Sequence, residues 1–201
     1  MTSNTFSTDA ILLTKKKFGD GHVSLCLLTD HLGLIRVCAF GGQRLSKRFK
    51  GGIEYFQVFE AEIQATTQNG QQNHNLSCIK SVKKRFTNIP MMMERYIAAS
   101  YIQEMSSLLL NQLERDNSGS TTYFNQVVSC MSRINSITDK TTILDEVYDL
   151  SISLYQNTGF IPDIECSNST NTKLCRLENF NTNILEKSPK SFALLSEIYN
   201  Q

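Results

Sequence analysis

The chain has 201 residues, of which 40% are hydrophobic and 19% charged, a balance typical of a globular protein with one large or two small domains. No apolar run is long enough to span a bilayer, and the N-terminus lacks the basic and apolar regions of a secretory signal. We therefore expect a cytoplasmic protein whose six cysteines are reduced.

The charge is distributed unevenly along the chain, although the net charge is only +1. Residues 1–85 contain 12 Lys and Arg against 6 Asp and Glu, whereas residues 86–201 contain 8 against 13. A basic first part followed by an acidic second part suggests a module that binds a polyanion, joined to a region with another role.

The first part of the sequence has the pattern of β-strands joined by short turns. Apolar or alternating runs separated by glycine-containing turns predict strands at residues 9–16, 23–29, 34–40, 53–63 and 76–86. Five strands in so short a stretch suggest a small barrel, since closure removes exposed strand edges. The five-stranded OB-fold is the leading candidate, although strand count alone does not separate it from an SH3-like barrel.

A basic loop lies between the third and fourth predicted strands, at residues 41–52. Glycine pairs bracket it, and it contains four cations, one aromatic residue and no acid. Such a loop suits a negatively charged partner that can stack, of which a nucleic-acid strand is the simplest. The alternative is a solvated loop whose charge only aids solubility.

From residue 91 the apolar residues recur at helical spacing. This periodicity predicts helices at residues 91–113, 121–136 and 141–158, with Gly159 ending the third. Residues 163–188 are rich in Asn, Ser and Thr and predict a long irregular segment, before a final helix that starts at Ser188-Pro189 and ends near residue 198. The predicted class is α+β, with an OB-fold domain at residues 1–86 and an α-helical domain at residues 87–201.

In its order of motifs the chain resembles the bacterial recombination mediator family RecO. The segments that carry the resemblance span residues 9–166 and are 10–14 (AILLT), 18–20 (FGD), 25–29 (LCLLT), 33–49 (GLIRVCAFGGQRLSKRF), 51–56 (GGIEYF), 95–104 (RYIAASYIQE) and 158–166 (TGFIPDIEC). Tyr55 stands where the family usually has proline.

The resemblance implies an N-terminal OB-fold, a C-terminal helical domain and a role in DNA repair and recombination at the nucleoid. Members of the family bind single- and double-stranded DNA, anneal complementary strands and help to load RecA. They act with RecR and with single-stranded-DNA-binding protein, whose acidic tail some members bind. Arg95, Arg115 and Arg133 are candidate receptors for such a tail.

The candidate DNA-binding residues are cations with one aromatic neighbour. Arg offers phosphate a forked donor and Lys a mobile point charge. Phe49 is considered both as a stacking residue and as a plug inside the barrel. The full set is Arg36, Arg44, Lys47, Arg48, Phe49, Lys50, the run Lys15, Lys16 and Lys17, and the run Lys83, Lys84 and Arg85.

The sequence gives little support to catalysis or to a metal site. Many RecO proteins carry two CxxC pairs for zinc, but Cys166 is followed only by the distant Cys175, so we expect no zinc and no other cofactor. A Cys26–His22 nucleophile pair is less plausible than a core cysteine. We expect a protein that is not an enzyme. The alternatives are an adaptor whose barrel has lost DNA affinity and, third, a nuclease that would use the acids of the helix at residues 141–158.

Overall fold

The computed structural model describes residues 3–42, 49, 52–68, 71–87, 90, 92–112, 120–157, 159, 169–185 and 187–199. Within these residues, five strands precede five helices. The strands are β1 (Ser3–Phe18), β2 (His22–Thr29), β3 (Gly33–Ala39), β4 (Gln57–Gln68) and β5 (Gln71–Thr87). The helices are α1 (Met93–Gln112), α2 (Ser120–Ser136), α3 (Lys140–Asn157), α4 (Thr170–Asn183) and α5 (Lys190–Tyr199).

The strands close into a barrel in the order β1-β2-β3-β5-β4, with β4 returning to β1. Neighbouring strands are antiparallel except β3 and β5, which run parallel where Val37 meets Ser77 and Cys38 meets Cys78. The predicted α+β class, with a five-stranded OB-fold barrel before a helical region, is confirmed.

The barrel interior is filled by the inward residues of the strands. In β3 the residues Ile35, Val37 and Ala39 are buried, while Arg36 between them is exposed, as the twofold period of a strand requires. Phe49 and Ile53, from the segment between β3 and β4, join the same core and are fully buried. The basic loop is therefore tied to the barrel's hydrophobic core through Phe49, and the chain just after the loop through Ile53.

Four strand boundaries differ from the prediction, since β4 ends at Gln68 rather than at residue 63, β5 begins at Gln71 rather than at residue 76, and the starts of β1 and β4 also move. Strand β1 begins at Ser3 rather than near residue 9, because its polar first residues pair with the far end of β4 (Ser3 with Thr66) and Phe6 packs on the core. Strand β4 begins at Gln57 rather than at residue 53, because Phe56 has a φ of 60° and interrupts the extended backbone. The Asn69-Gly70 turn lies outside the described residues.

The helices follow the prediction with one exception. Helices α1, α2, α3 and α5 begin and end within two residues of the predicted bounds. The segment at residues 163–188, predicted to be irregular, contains α4, so that prediction is wrong. The helix begins at an N-cap, where the Ser169 side chain accepts from the Thr172 N–H, and it buries Leu174, Leu177 and Asn181.

The chain divides into two compact units. The first comprises Met1–Ile89 and Arg115–Asn125, and the second comprises Pro90–Glu114 and Gln126–Gln201. The domain boundary at residues 86 and 87 stays a prediction. In the second unit α1 packs against α5 and α3, and α4 packs against α3 and α5.

Candidate nucleic-acid interface

The loop that the sequence singles out is held on both sides by the barrel. Its cations Arg44, Lys47, Arg48 and Lys50 lie outside the described residues. The residues that flank the loop are described, and they show how the barrel fixes the two points between which it runs.

The N-terminal anchor of the loop is a pair of glycines against the start of β2. The Gly41 N–H donates to His22 Nδ1 at 3.0 Å, and the Gly42 N–H donates to the Ala39 carbonyl at 3.1 Å. A Cβ on Gly42 would lie 2.7 Å from Val23 Cγ2 and 2.8 Å from Ala39 Cβ. A side chain at position 42 would overlap these two core residues. The close packing of Gly42 against them therefore fixes the position at which the chain enters the loop.

The C-terminal anchor is built by Phe49 and the residues after it. Phe49 is fully buried in the barrel core, and its carbonyl accepts from the Gly52 N–H at 2.9 Å. Lys15 Nζ on β1 donates to the Ile53 carbonyl at 2.8 Å and lies 3.3 Å from Glu54 Oε1. These contacts fix the chain where it leaves the loop.

Two of the candidate DNA-binding residues therefore have structural roles. Phe49 is the plug of the barrel and not an exposed stacking residue, because an aromatic side chain gains more from core burial than from solvent exposure. The Lys15 side chain is only 21% exposed and is occupied by a carbonyl and a carboxylate. By contrast, Lys16 and Lys17 are exposed on the same strand.

Arg36 points outward from β3 and contacts Cys26 on the neighbouring strand β2. It is exposed, stands opposite Cys26 in the β2–β3 register, and forms a side-chain hydrogen bond with that thiol. Burial raises the pKa of the Cys26 thiol, and Arg36 only partly offsets this effect. A raised pKa and a buried position make Cys26 a poor nucleophile.

The run 83–85 divides into exposed lysines and a paired arginine. Lys83 and Lys84 are exposed near the end of β5. Arg85 Nε lies 3.3 Å from Asp9 Oδ1, and an Nη lies 3.1 Å from Glu60 Oε2. Two carboxylates thus neutralise Arg85, so its attraction for phosphate is weaker than that of the lysines beside it.

An exposed aromatic cluster at the β1–β2 turn was missed by sequence reasoning. It consists of Phe18, His22 and Phe40, whose ring centroids are 5.3 to 6.5 Å apart. Phe18 is 38% exposed and Phe40 50%. The signal was present in the sequence, because Phe18 and His22 flank a Gly-Asp-Gly turn and Phe40 ends the strand predicted at residues 34–40.

Two of the three acids of α3 are occupied in ion pairs. Asp145 pairs with Lys173, and Glu146 accepts from Arg133 Nε at 2.8 Å. Burial raises the pKa of Asp149, with smaller like-charge contributions from Asp145 and Glu146. Within the described ranges, no three His, Cys, Asp or Glu side chains converge as a metal site would require. The absence of zinc stays a prediction, and Cys166 lies outside the described residues.

The arginines considered for an acidic tail have partners inside the helical unit. Arg95 on α1 donates to the Asn135 carbonyl at 2.8 Å and satisfies the C-terminal end of α2. Arg133 is held by Glu146. Arg115 lies outside the described residues. Arg95 and Arg133 are therefore engaged in joining helices.

Comparison with known proteins gives a family match over the barrel. Residues 1–84 match the family model described as Recombination protein O N terminal. No curated protein matches the chain. In the described parts of the chain, no helix has the length and apolar character required to cross a membrane.

Proposed function

We propose that this chain, whose residues 1–84 match the family model described as Recombination protein O N terminal, is a recombination mediator in DNA repair that binds and anneals DNA strands and assists RecA loading together with RecR. The observation that carries the proposal is the match of residues 1–84, which coincides with a closed five-stranded barrel of the kind that binds oligonucleotides. The protein is not an enzyme and uses no cofactor.

The DNA surface comprises the exposed cations of the barrel together with the loop. Lys16, Lys17 and Arg36 supply charge from β1 and β3, and Lys83 and Lys84 supply it from β5. The loop adds Arg44, Lys47, Arg48 and Lys50, which the sequence places between the two anchors. Binding through phosphates carries no base preference, which suits a protein that must act on any sequence.

The partners are single- and double-stranded DNA, RecR and single-stranded-DNA-binding protein, with RecA engaged indirectly. A specific observation also favours the adaptor as a second candidate. At the start of α1, Met92 is 47% exposed, Met93 67% and Tyr96 51%, an apolar surface of the kind used for protein partners. In the mediator, the barrel binds DNA while this apolar surface binds a protein partner. In the adaptor, the helical region binds its partner and the barrel does not bind DNA.

The proposal is tested by fluorescence anisotropy of labelled single-stranded and duplex oligonucleotides at low and moderate salt. Changing Arg44, Lys47, Arg48 and Lys50 together to Glu is expected to abolish binding. If these four side chains neutralise about four phosphates of a single strand, the slope of log K against log salt for the wild type is near –2.8. A folded wild type that binds neither form of DNA at low salt would contradict the mediator and favour the adaptor.

Annealing is measured separately, because a protein can bind strands without pairing them. Two complementary oligonucleotides carrying a donor and an acceptor dye are mixed with sub-stoichiometric and stoichiometric protein. The mediator is expected to accelerate the rise of energy transfer, and the quadruple Glu variant is expected to leave the spontaneous rate unchanged. If the variant accelerated annealing as much as the wild type does, the loop cations would not be required for annealing.

A further inference from the structure

The aromatic cluster of Phe18, His22 and Phe40 is built as a continuous exposed surface. Phe40 lies edge-on to both neighbours, at interplanar angles of 75° to Phe18 and 77° to His22. The His22 ring is fixed because its Nδ1 accepts from the Gly41 N–H at 3.0 Å. Aromatic rings of this exposure lose the benefit of full burial, so a surface cluster of them indicates a partner with a flat apolar face.

The cluster shares the outer face of the barrel with two cations. Val23 and Ala39 point into the core, so their neighbours His22 and Phe40 point outward. On β1, Phe18 lies opposite His22, and Lys16 lies opposite the outward Ser24. Arg36, two pairs from Phe40 along β3, is also outward and exposed. The outward face therefore carries aromatic side chains at one end, with Lys16 on β1 and Arg36 on β3 as the cations beside them.

We propose that Phe18 and Phe40 stack on bases of a single DNA strand, while Lys16 and Arg36 contact its phosphates. This inference rests on the proposed function and deepens it by naming the part of the surface that contacts bases. Stacking tolerates any sequence because every base has a π-face. It discriminates by strand state, since the base faces of a duplex are already covered by neighbouring bases.

The charges around the cluster favour a nucleic-acid strand over a protein segment. Lys16 is two residues from Phe18, about 7 Å along an extended strand, which suits the phosphate next to a stacked base. Asp20 is exposed at the tip of the turn and repels phosphate. The DNA strand is therefore expected to cross the sheet face toward Arg36 and not to pass over the tip of the turn. In OB-folds this face and this turn commonly bind oligonucleotides.

The absence of tryptophan from the chain allows a direct test of stacking. Phe18→Trp and Phe40→Trp each introduce a single indole whose fluorescence is quenched by a stacked base. The probe is a thymidine oligonucleotide, compared with an abasic deoxyribose-phosphate oligomer of equal length. Leu194→Trp is the matched control, because Leu194 is 50% exposed on α5, in the helical unit and outside the proposed DNA surface. Strong quenching is expected only at positions 18 and 40 and only with the oligonucleotide that carries bases.

Affinity gives the second readout. Phe18→Ala and Phe40→Ala are each expected to weaken single-strand binding about 5- to 150-fold, equivalent to about 1–3 kcal/mol of stacking. The salt slope should stay unchanged because no phosphate contact is lost. Duplex binding should be nearly unaffected. Phe40→Leu, which keeps an apolar side chain without a π-face, should lose as much single-strand affinity as Phe40→Ala and thereby excludes a folding defect.

The outcomes separate this inference from the proposed function. If the wild type binds DNA and the alanine variants bind it equally well, or if Leu194→Trp is quenched as strongly as Phe40→Trp, the stacking proposal is wrong and the mediator stands. In that case the aromatic face fits a protein partner instead. A wild type that binds no DNA at low salt overturns both.

Discussion

The ammonium group of Lys15 and the carbonyl of Ile53 are joined by a hydrogen bond of 2.8 Å that connects β1 to the chain leaving the basic loop. Ile53 itself is fully buried in the barrel core. A lysine that belongs to a run of three in the sequence is thus a structural residue, whereas its neighbour Lys16 is exposed.

Replacing Lys15 by Met should lower the stability of the barrel more than it lowers DNA affinity. A hydrogen bond from a charged group is worth about 1.5–3 kcal/mol, and the part-exposed ammonium places Lys15 at the lower end of that range. Chemical denaturation measures the change in the free energy of unfolding. Lys16→Met is the matched control, expected within about 0.5 kcal/mol of the wild type in stability but weaker in DNA binding. The reverse pattern would mean that Lys15 belongs to the DNA surface.

Gly42→Ala should destabilise the barrel by steric overlap. The added Cβ would lie 2.7 Å from Val23 Cγ2 and 2.8 Å from Ala39 Cβ, and neither core side chain can move without disturbing its neighbours. We expect a loss of about 1–3 kcal/mol in the free energy of unfolding.

Gly41 supplies the control for this change, since it has a φ of 74° and open space around its Cβ position. Gly41→Asn tests backbone conformation alone and should be tolerated well, because Asn adopts positive φ more readily than other residues. Equal losses from both substitutions would argue against a steric cause at Gly42.

The barrel was predictable because its signal is local and strongly periodic. In β3 the residues Ile35, Val37 and Ala39 repeat at every second residue, and strand alternation alone places them inside. The limits of β4 were not predictable, since the positive φ of Phe56 follows from packing and not from its residue type. Helix α4 was missed because it buries only a narrow stripe; its Ser169 cap was the available signal.

The site was only partly predictable, because exposure and pairing depend on contacts distant in sequence. Lys15, Lys16 and Lys17 are equivalent in composition, yet the contact with Ile53 distinguishes the first. Arg85 meets Asp9 across 76 positions of the chain, which no local pattern reveals. The positions of cysteines, histidines and acids in the sequence do not reveal which of these side chains meet in the fold. They therefore allowed only a general argument against catalysis.

Asn181 should be the most sensitive polar position of the helical unit. It is fully buried, and its Oδ1 accepts from the Tyr101 hydroxyl at 3.1 Å and from the Tyr155 hydroxyl at 3.4 Å. Burial raises the pKa of both tyrosines well above their ordinary value, so both hydroxyls stay protonated and able to donate. Asn181→Leu removes the acceptor that these two buried hydroxyls share. It should therefore reduce the free energy of unfolding by about 2–3 kcal/mol.

A double-mutant cycle tests whether the hydroxyls cause this loss. Adding Tyr101→Phe to Asn181→Leu removes one buried donor and should restore part of the stability, whereas Tyr101→Phe alone should be destabilising. Strictly additive effects would show that the loss comes from repacking and not from the hydrogen bonds.

The N-cap of α3 should make stability depend on pH at the acidic end. Asp139 accepts from the Thr142 N–H at 2.8 Å and from the Thr141 and Thr142 hydroxyls, and these hydrogen bonds lower its pKa from 3.8 to about 2. Because the pKa is lower in the folded state, the contribution is complete above the ordinary value and is lost as the pH falls through about 2.

Thermal melts between pH 2 and pH 7 check the Asp139 effect. Asp139→Ala should melt at a lower temperature than the wild type at pH 7, and the two should converge as the pH drops below about 4 toward 2. Asp139→Asn keeps a capping acceptor that does not titrate and should melt close to the wild type at neutral pH. A difference between Asp139→Ala and wild type that persists undiminished at pH 2 would contradict the titration of Asp139 as its cause.

Arg85 and Lys84 should contribute differently to DNA binding although they are adjacent and both exposed. The guanidinium of Arg85 is shared between Asp9 and Glu60, at 3.3 and 3.1 Å, so phosphate must compete with two carboxylates. Lys84→Gln is expected to weaken single-strand binding and to reduce the steepness of the salt slope by about 0.7, the effect of one phosphate contact. Arg85→Gln should change both quantities little and should cost at most about 1 kcal/mol of stability, because the ion pair is exposed.

Glu60→Gln should increase affinity by releasing Arg85 and removing a negative charge. If Arg85→Gln weakened binding as much as Lys84→Gln, phosphate would outcompete the carboxylates, and the DNA surface would extend across β5 to Asp9.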